Sequence, residues 1–99
     1  MRKPDIAFLA ELEVIVNDRL GSASEDSYTM QLASAGTKRI AQKVGEEGVE
    51  LALAAAAGDN DELVDEAADL LYHVVVLLST RGLGLTDVCD RLRSRHSGD

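Results

Sequence analysis

Apolar residues recur at intervals of three and four along most of this chain, which is the spacing of one face of an α-helix. The pattern is interrupted near Gly21, Gly36, Gly58 and the pair Gly82 and Gly84, and it predicts helices over about 4–20, 27–35, 38–57, 60–80 and 86–95. Apart from short ambiguous runs, no segment alternates apolar and polar residues over several positions with the period of two that a strand requires. The sequence therefore predicts an all-α fold, with four to five helices forming a bundle.

Residues that favour helix starts stand before several of these segments. Pro4 suits the first turn of the first helix, where its missing N–H costs nothing. Asp59 followed by Glu62 resembles a capping box, with Asp in place of Ser or Thr. The N-caps expected for the second, third and last helices are Ser27 or Asp26, Thr37 and Thr86.

Length and composition predict one cytoplasmic domain spanning residues 1–99, with its core at about 5–95. Aromatic residues make up only 3% and there is no Trp, so the core is expected to consist of Leu, Val, Ile and Ala. The single cysteine, Cys89, excludes an internal disulfide, fits a reducing compartment, and is expected to be a small buried hydrophobe. The longest apolar run, residues 74–78, is too short to span a membrane.

The formal net charge of −8 argues against nucleic acid as a partner, because nucleic acid is itself a polyanion. It permits a small anionic substrate if metal ions and a few local basic side chains offset the charge. Solubility alone explains most of the acidic residues outside the stretch described next.

Two clusters of carboxylates lie on consecutive predicted helices. We measure the position of each side chain as an angle around the axis of the third helix, starting from Glu46. Glu50 then lies at roughly 40° and Glu47 at roughly 100°, next to an apolar stripe at about 120–180°. That stripe consists of Ile40, Val44, Leu51 and Ala55. On the fourth helix Glu66 and Asp69 again flank an apolar arc, formed by Leu63, Leu70, Val74, Leu77 and Leu78. If the two helices pack antiparallel the carboxylates converge, and their oxygens are the ligands that magnesium prefers.

Spacing alone leaves other interpretations open. Acidic residues three or four apart on a helix often form a solvated face. Gly45 and Gly48 inside a helix permit close approach by a ligand or by another helix. The basic residues before the glutamates are either phosphate contacts or partners in ordinary ion pairs; they are Lys38, Arg39 and Lys43.

Two ring side chains follow the second cluster. His73 is expected to be a packed or hydrogen-bonded histidine rather than a metal ligand. Tyr72 is expected in the core or at an interface with its hydroxyl satisfied. The sequence contains no zinc-ligand spacing, no phosphate-cradling glycine loop and no nucleophile–base arrangement.

The acidic signature Glu46-Glu47-x-x-Glu50, followed after fifteen residues by Glu66-x-x-Asp69, resembles that of the MazG-like all-α nucleotide pyrophosphohydrolases. Three flanking strings narrow the resemblance to the phosphoribosyl-ATP pyrophosphohydrolase family of histidine biosynthesis. They are Ser-Tyr-Thr at 27–29, Lys-Val-Gly-Glu-Glu at 43–47 and Glu-Ala-Ala-Asp-Leu-Leu-Tyr-His at 66–73. The resemblance covers roughly residues 5–95, and it departs from the family at Gly48, where Ala is expected.

The resemblance implies hydrolysis of the α–β phosphoanhydride of phosphoribosyl-ATP, giving phosphoribosyl-AMP and pyrophosphate with Mg2+ as cofactor. The implied metal ligands are Glu47, Glu50, Glu66 and Asp69. Glu46 and Glu47 are the expected catalytic residues, with Glu46 as a second metal contact or as the base that orients water. Lys43, Lys38 and Arg39 are weaker candidates for substrate phosphate contacts.

The resemblance also implies a homodimer. The run at residues 70–78 is apolar almost all round, which is typical of a helix buried on every side, and it is expected near the interface. Two other functions compete with the main one. A related hydrolase of another nucleoside triphosphate would share the metal site, and a helical interaction module would show no magnesium dependence.

Overall fold

The computed structural model describes residues 5–21 and 28–97, and within them the chain is helical with no strand. Five helices follow one another: α1 (Ala7–Leu20), α2 (Tyr28–Ala35), α3 (Thr37–Ala57), α4 (Asn60–Thr80) and α5 (Leu85–Arg95). The all-α prediction is confirmed. No helix in these ranges has the length and hydropathy needed to cross a bilayer.

The hairpin of α3 and α4 is the centre of the fold. Only Gly58 and Asp59 separate the two helices, so they run antiparallel, and they share the most extensive contact in the chain. α1 packs on α4, and α2 contacts both α1 and α3. The residues buried where these helices meet are Val16, Leu32, Ile40, Val75 and Val76.

The observed helix starts correct two of the predicted caps. Asp59 caps α4 as predicted, since its Oδ1 accepts from the Glu62 N–H at 2.9 Å. Thr37 was the wrong choice for α3: it is the first helical residue, after a Gly36 at φ +96° that provides no side-chain cap. Thr86 lies inside the first turn of α5, where the Gly84 N–H instead donates to Asp87 Oδ2 at 2.9 Å.

The first helix begins later than its pattern indicates. Residues 5 and 6 are not helical. The Asp5 side chain precedes α1, and its Oδ1 accepts a hydrogen bond of 3.2 Å from the N–H of Ala7, the first helical residue. Pro4, Asp26 and Ser27 lie outside the described residues.

Burial departs from the predicted stripes in three places. On α3, Ala54 is buried and Ala55 is exposed, a shift of one position. On α4, the five residues of the predicted arc are only half-buried, while Val75 and Val76 on other sides of the helix are almost fully buried. Cys89 was expected to be buried, but α5 contacts little of the bundle and the thiol is exposed.

Candidate metal centre

Carboxylates of α3 and α4 meet near the middle of the hairpin. Glu47 on α3 and Glu66 and Asp69 on α4 each offer one oxygen, and the three oxygens lie within 4.8 Å of one another. The antiparallel pairing places them together, because each helix carries its acidic residues beside the face that contacts the other helix. Such a cluster of hard oxygen atoms suits a divalent cation of the magnesium type.

Two oxygens of the cluster lack the partners that buried charges require. Glu47 is only 6% exposed, and its Oε1 lies 3.5 Å from Lys43 Nζ. Glu47 Oε2 and Glu66 Oε2 are buried, and neither has a hydrogen-bond partner among the described residues. A buried carboxylate oxygen without a partner costs free energy, and a coordinated cation removes that cost. The residues present therefore fit a metal ion.

Electrostatics at the same point favour a bound cation. The pKa of Glu66 is raised, first because burial disfavours its charged form and next because it shares a hydrogen bond with the Glu50 carboxyl. The negative charges of Glu50, Glu47 and Asp69 raise this pKa further. Without a cation, the site is thus a cluster of mutually repelling carboxylates.

The remaining two glutamates of the signature lie at the edge of this group. Glu50 is exposed and faces Glu66, but it does not belong to the three residues that converge within 4.8 Å. Glu46 is exposed as well; its Oε2 accepts from Gln42 Nε2 at 3.4 Å and its Oε1 lies 4.0 Å from Lys43 Nζ. Their roles as ligand and base stay predictions.

The three basic candidates differ in their surroundings. Lys43 bridges Glu46 and Glu47, as the ion-pair interpretation expects. Lys38 and Arg39 are exposed near the start of α3, and no carboxylate within residues 5–21 and 28–97 forms an ion pair with either of them. These two cations therefore remain available to an anionic ligand.

A hydrogen-bonded group of rings adjoins the carboxylates. His73, 5% exposed, lies one turn after Asp69, and its Nδ1 is 2.8 Å from the Asp69 carbonyl oxygen. That carbonyl can only accept, so Nδ1 carries a proton. His73 Nε2 shares a second hydrogen bond, of 2.9 Å, with the Tyr28 hydroxyl. The buried Thr29 shares a 2.5 Å hydrogen bond with the Tyr72 hydroxyl. The structure confirms that His73 is packed and hydrogen-bonded and that the Tyr72 hydroxyl has a partner.

Periodicity gave no sign that the start of α2 would reach this site. Tyr28 and Thr29 lie more than forty positions before their partners, and their bonds join α2 to α4. The only signal for them in the sequence is the Ser-Tyr-Thr string that belongs to the family resemblance.

Comparison with known proteins identifies the family of this chain. The family model for phosphoribosyl-ATP pyrophosphohydrolase matches residues 9–96. The histidine biosynthesis bifunctional protein HisIE of Photobacterium profundum is 55% identical over 95 residues, which are 96% of this chain and 46% of that protein. HisIE of Escherichia coli is 56% identical over 89 residues, 90% of this chain and 44% of that protein.

The chain thus spans about half the length of the curated relatives it matches. The family match begins at Leu9 within α1, continues past the end of α5 and includes both acidic clusters. This chain belongs to the phosphoribosyl-ATP pyrophosphohydrolase family.

Proposed function

We propose that the protein hydrolyses the α–β phosphoanhydride of phosphoribosyl-ATP, with Mg2+ as cofactor, and releases phosphoribosyl-AMP and pyrophosphate. This is a step of histidine biosynthesis, the pathway in the names of the relatives. The observation that carries the proposal is the meeting of Glu47, Glu66 and Asp69, with two buried oxygens that have no partner among the described residues.

Glu47, Glu66 and Asp69 are the proposed metal ligands, and Glu50, which faces Glu66, is the proposed fourth. Bound magnesium supplies charge neutralisation at the phosphate oxygens, a lowered pKa of water and stabilisation of the leaving pyrophosphate. Burial of Glu47 and its contact with Lys43 hold that carboxylate in one orientation before the metal arrives.

Glu46 is the proposed base or second metal contact. It lies one position before Glu47 and is exposed, so its carboxylate can reach a water molecule on the open side of the site. Lys43 lies between Glu46 and Glu47, and we propose that it meets the phosphate oxygens of the substrate from there. No covalent intermediate is required.

A homodimer is part of the proposal. Large apolar side chains of α3 and α4 are exposed in the single chain; they are Val49, Leu53, Val64 and Leu71. Apart from its neighbours on the same helix, a Cβ at Gly45 or Gly48 would meet no atom of residues 5–21 and 28–97 within 4 Å, so packing within those residues does not explain these helix-interior glycines. Close approach by a partner's helix would offset their cost of ~1 kcal/mol each. A cytoplasmic location, consistent with one free cysteine, completes the proposal.

The test is pyrophosphate release from phosphoribosyl-ATP, with ATP and dUTP in parallel, each with magnesium and with EDTA. Magnesium-dependent turnover of phosphoribosyl-ATP alone is the expected result. Turnover of ATP or dUTP instead would retain the metal site but assign another nucleoside triphosphate as substrate. Absence of turnover with every substrate would favour the helical interaction module, whose acidic faces only solvate it.

A further inference from the structure

A small pocket lies between α2 and the start of α3. It has a volume of about 170 Å³ and is lined by Tyr28, Gln31, Leu32, Ala35 and Arg39. Sites for small molecules usually measure about 300–1,000 Å³. This pocket therefore holds one part of a nucleotide-sized ligand, and the rest of that ligand must lie outside it.

The pocket is connected to the metal centre along both helices of the hairpin. On α3, Arg39 precedes Lys43 and Glu47 by four and eight residues, so the three lie along one side of the helix and span about 12 Å. The second path runs along α4. The Tyr28 hydroxyl of α2 shares a hydrogen bond with His73 of α4, and His73 is hydrogen-bonded to the Asp69 carbonyl on the same helix. Because α3 and α4 are antiparallel, both paths lead from the carboxylates towards the same end of the hairpin.

The aromatic wall of the pocket is held in place. The Tyr28 ring stacks on Tyr72 with ring centroids 6.0 Å apart and 26° between the planes, and its edge meets His73. The hydroxyl is anchored on His73, yet 48% of the residue is exposed. A ring that is fixed on one side and open on the other is a platform on which a planar base can stack.

The cationic wall is Arg39, whose guanidinium forms no ion pair with any carboxylate in the described ranges. Arginine binds phosphate in a bidentate manner. Phosphoribosyl-ATP differs from ATP by one phosphoribosyl group, so it carries an additional phosphate that is remote from the anhydride being cleaved.

We propose that this pocket binds the phosphoribosyl-adenine end of the substrate, with the base against Tyr28 and the additional phosphate on Arg39. The inference rests on the proposed function and names the part of the site that distinguishes phosphoribosyl-ATP from ATP. Arg39 is then the residue that distinguishes phosphoribosyl-ATP from ATP, Tyr28 holds the base that both share, and the anhydride lies towards Lys43 and Glu47.

The test compares two ligands that differ only in the phosphoribosyl group, phosphoribosyl-AMP and AMP, by titration calorimetry with magnesium present. Arg39→Gln weakens the binding of phosphoribosyl-AMP by about 10- to 100-fold, which is the usual effect of losing a hydrogen bond to a charged group. It leaves the binding of AMP unchanged. Tyr28→Leu weakens both ligands by about 10-fold, and Tyr28→Phe, which keeps the ring, retains most of the affinity. Arg93→Gln, which removes an exposed arginine of α5, changes neither.

Kinetics provide the second measurement. Arg39→Gln raises KM for phosphoribosyl-ATP and leaves kcat unchanged, because Arg39 does not touch the reacting phosphates. The inference is overturned if Arg39→Gln binds phosphoribosyl-AMP as tightly as the wild type does. It is also overturned if the substitution lowers the affinity for phosphoribosyl-AMP and for AMP by the same factor. It is also overturned if Tyr28→Phe loses as much affinity as a correctly folded Tyr28→Leu. Wild-type protein without magnesium-dependent turnover would contradict the proposed function itself, which is a different outcome.

Discussion

At the scale of single residues, the two acidic clusters do not contribute equally to the site. Glu47, Glu66 and Asp69 converge, whereas Glu46 remains on the solvent side with Gln42 and Lys43. The difference arises from position on the helix. Glu47 borders the buried face of α3 and is itself buried, while Glu46 is turned by about 100° towards solvent.

Removing one ligand charge tests the metal centre directly. Asp69→Asn and Glu50→Gln each lower kcat for phosphoribosyl-ATP by more than about 100-fold, since even the outer-shell partners of metal ligands affect affinity or activity 10- to 100-fold. Both variants keep the helical circular dichroism of the wild type. Asp65→Asn removes the charge of an exposed residue on α4. It is the matched control and stays active. Full activity in both test variants would remove these residues from the site.

The raised pKa of Glu66 leads to a prediction about the metal-free protein. A carboxyl group whose pKa is higher in the folded state contributes stability below its unfolded pKa and loses that contribution as pH rises. At neutral pH the charged Glu66 therefore opposes folding, and Glu66→Gln raises the Tm measured in EDTA. Magnesium raises the Tm of the wild type but not that of Glu66→Gln.

Glu11→Gln removes the charge of an exposed residue on α1 and so controls for the change in net charge. Its Tm in EDTA should follow the wild type, and magnesium should stabilise it equally. A Glu66→Gln protein that is less stable in EDTA, or that responds fully to magnesium, would contradict the role of Glu66 in a repelling, metal-binding cluster.

At the scale of helices, hydrophobic periodicity was sufficient to locate the elements, because each helix presents one face to a neighbour. The bounds of α4 agree with the pattern at both ends, Asn60 and Thr80. The first residues of helices that depend on backbone conformation were harder to predict. Gly36 at φ +96° begins α3 without a side-chain cap, so the capping preference of Thr37 is not used.

Contacts between distant segments could not be predicted from local pattern. The Leu85 N–H donates to Glu13 Oε2 at 2.6 Å, which fixes the start of α5 on α1 across 72 positions. The bond between Tyr28 and His73 spans 45 positions. Each depends on where two helices cross, and periodicity describes only one helix at a time. The carboxylate cluster was predictable because its two helices are adjacent in sequence and joined by a short turn.

Asp59 caps α4 at the turn of the hairpin, and the contribution of this cap to stability can be measured. Asp59→Ala removes the acceptor for the Glu62 N–H and lowers the free energy of unfolding by about 1 kcal/mol. For a domain of this size the Tm falls by about 4–8 °C. Asp59→Asn keeps a capping oxygen and stays close to the wild type. If urea denaturation gives equal losses for both variants, charge rather than the cap stabilises this turn.

At the scale of the whole molecule, the single chain leaves much apolar surface uncovered. A domain of this length buries only somewhat more than about 60% of its unfolded surface, so association adds needed stability. The predicted apolar arc of α4, including Leu70 and Leu78, is only half-buried within the chain. We expect a second copy to cover it, together with the exposed Leu71 of the same helix.

This expectation can be tested with matched charge insertions on two apolar surfaces. The wild type should have twice the chain mass in light scattering at micromolar concentration. Leu71→Lys places a charge in the proposed interface, where its desolvation is costly, and should yield monomers that retain helical structure. Leu92→Lys on α5, at a residue that is 47% exposed against 43% for Leu71, should remain a dimer. A monomeric wild type would contradict dimerisation itself, and a dimeric Leu71→Lys would place the interface away from this side of α4.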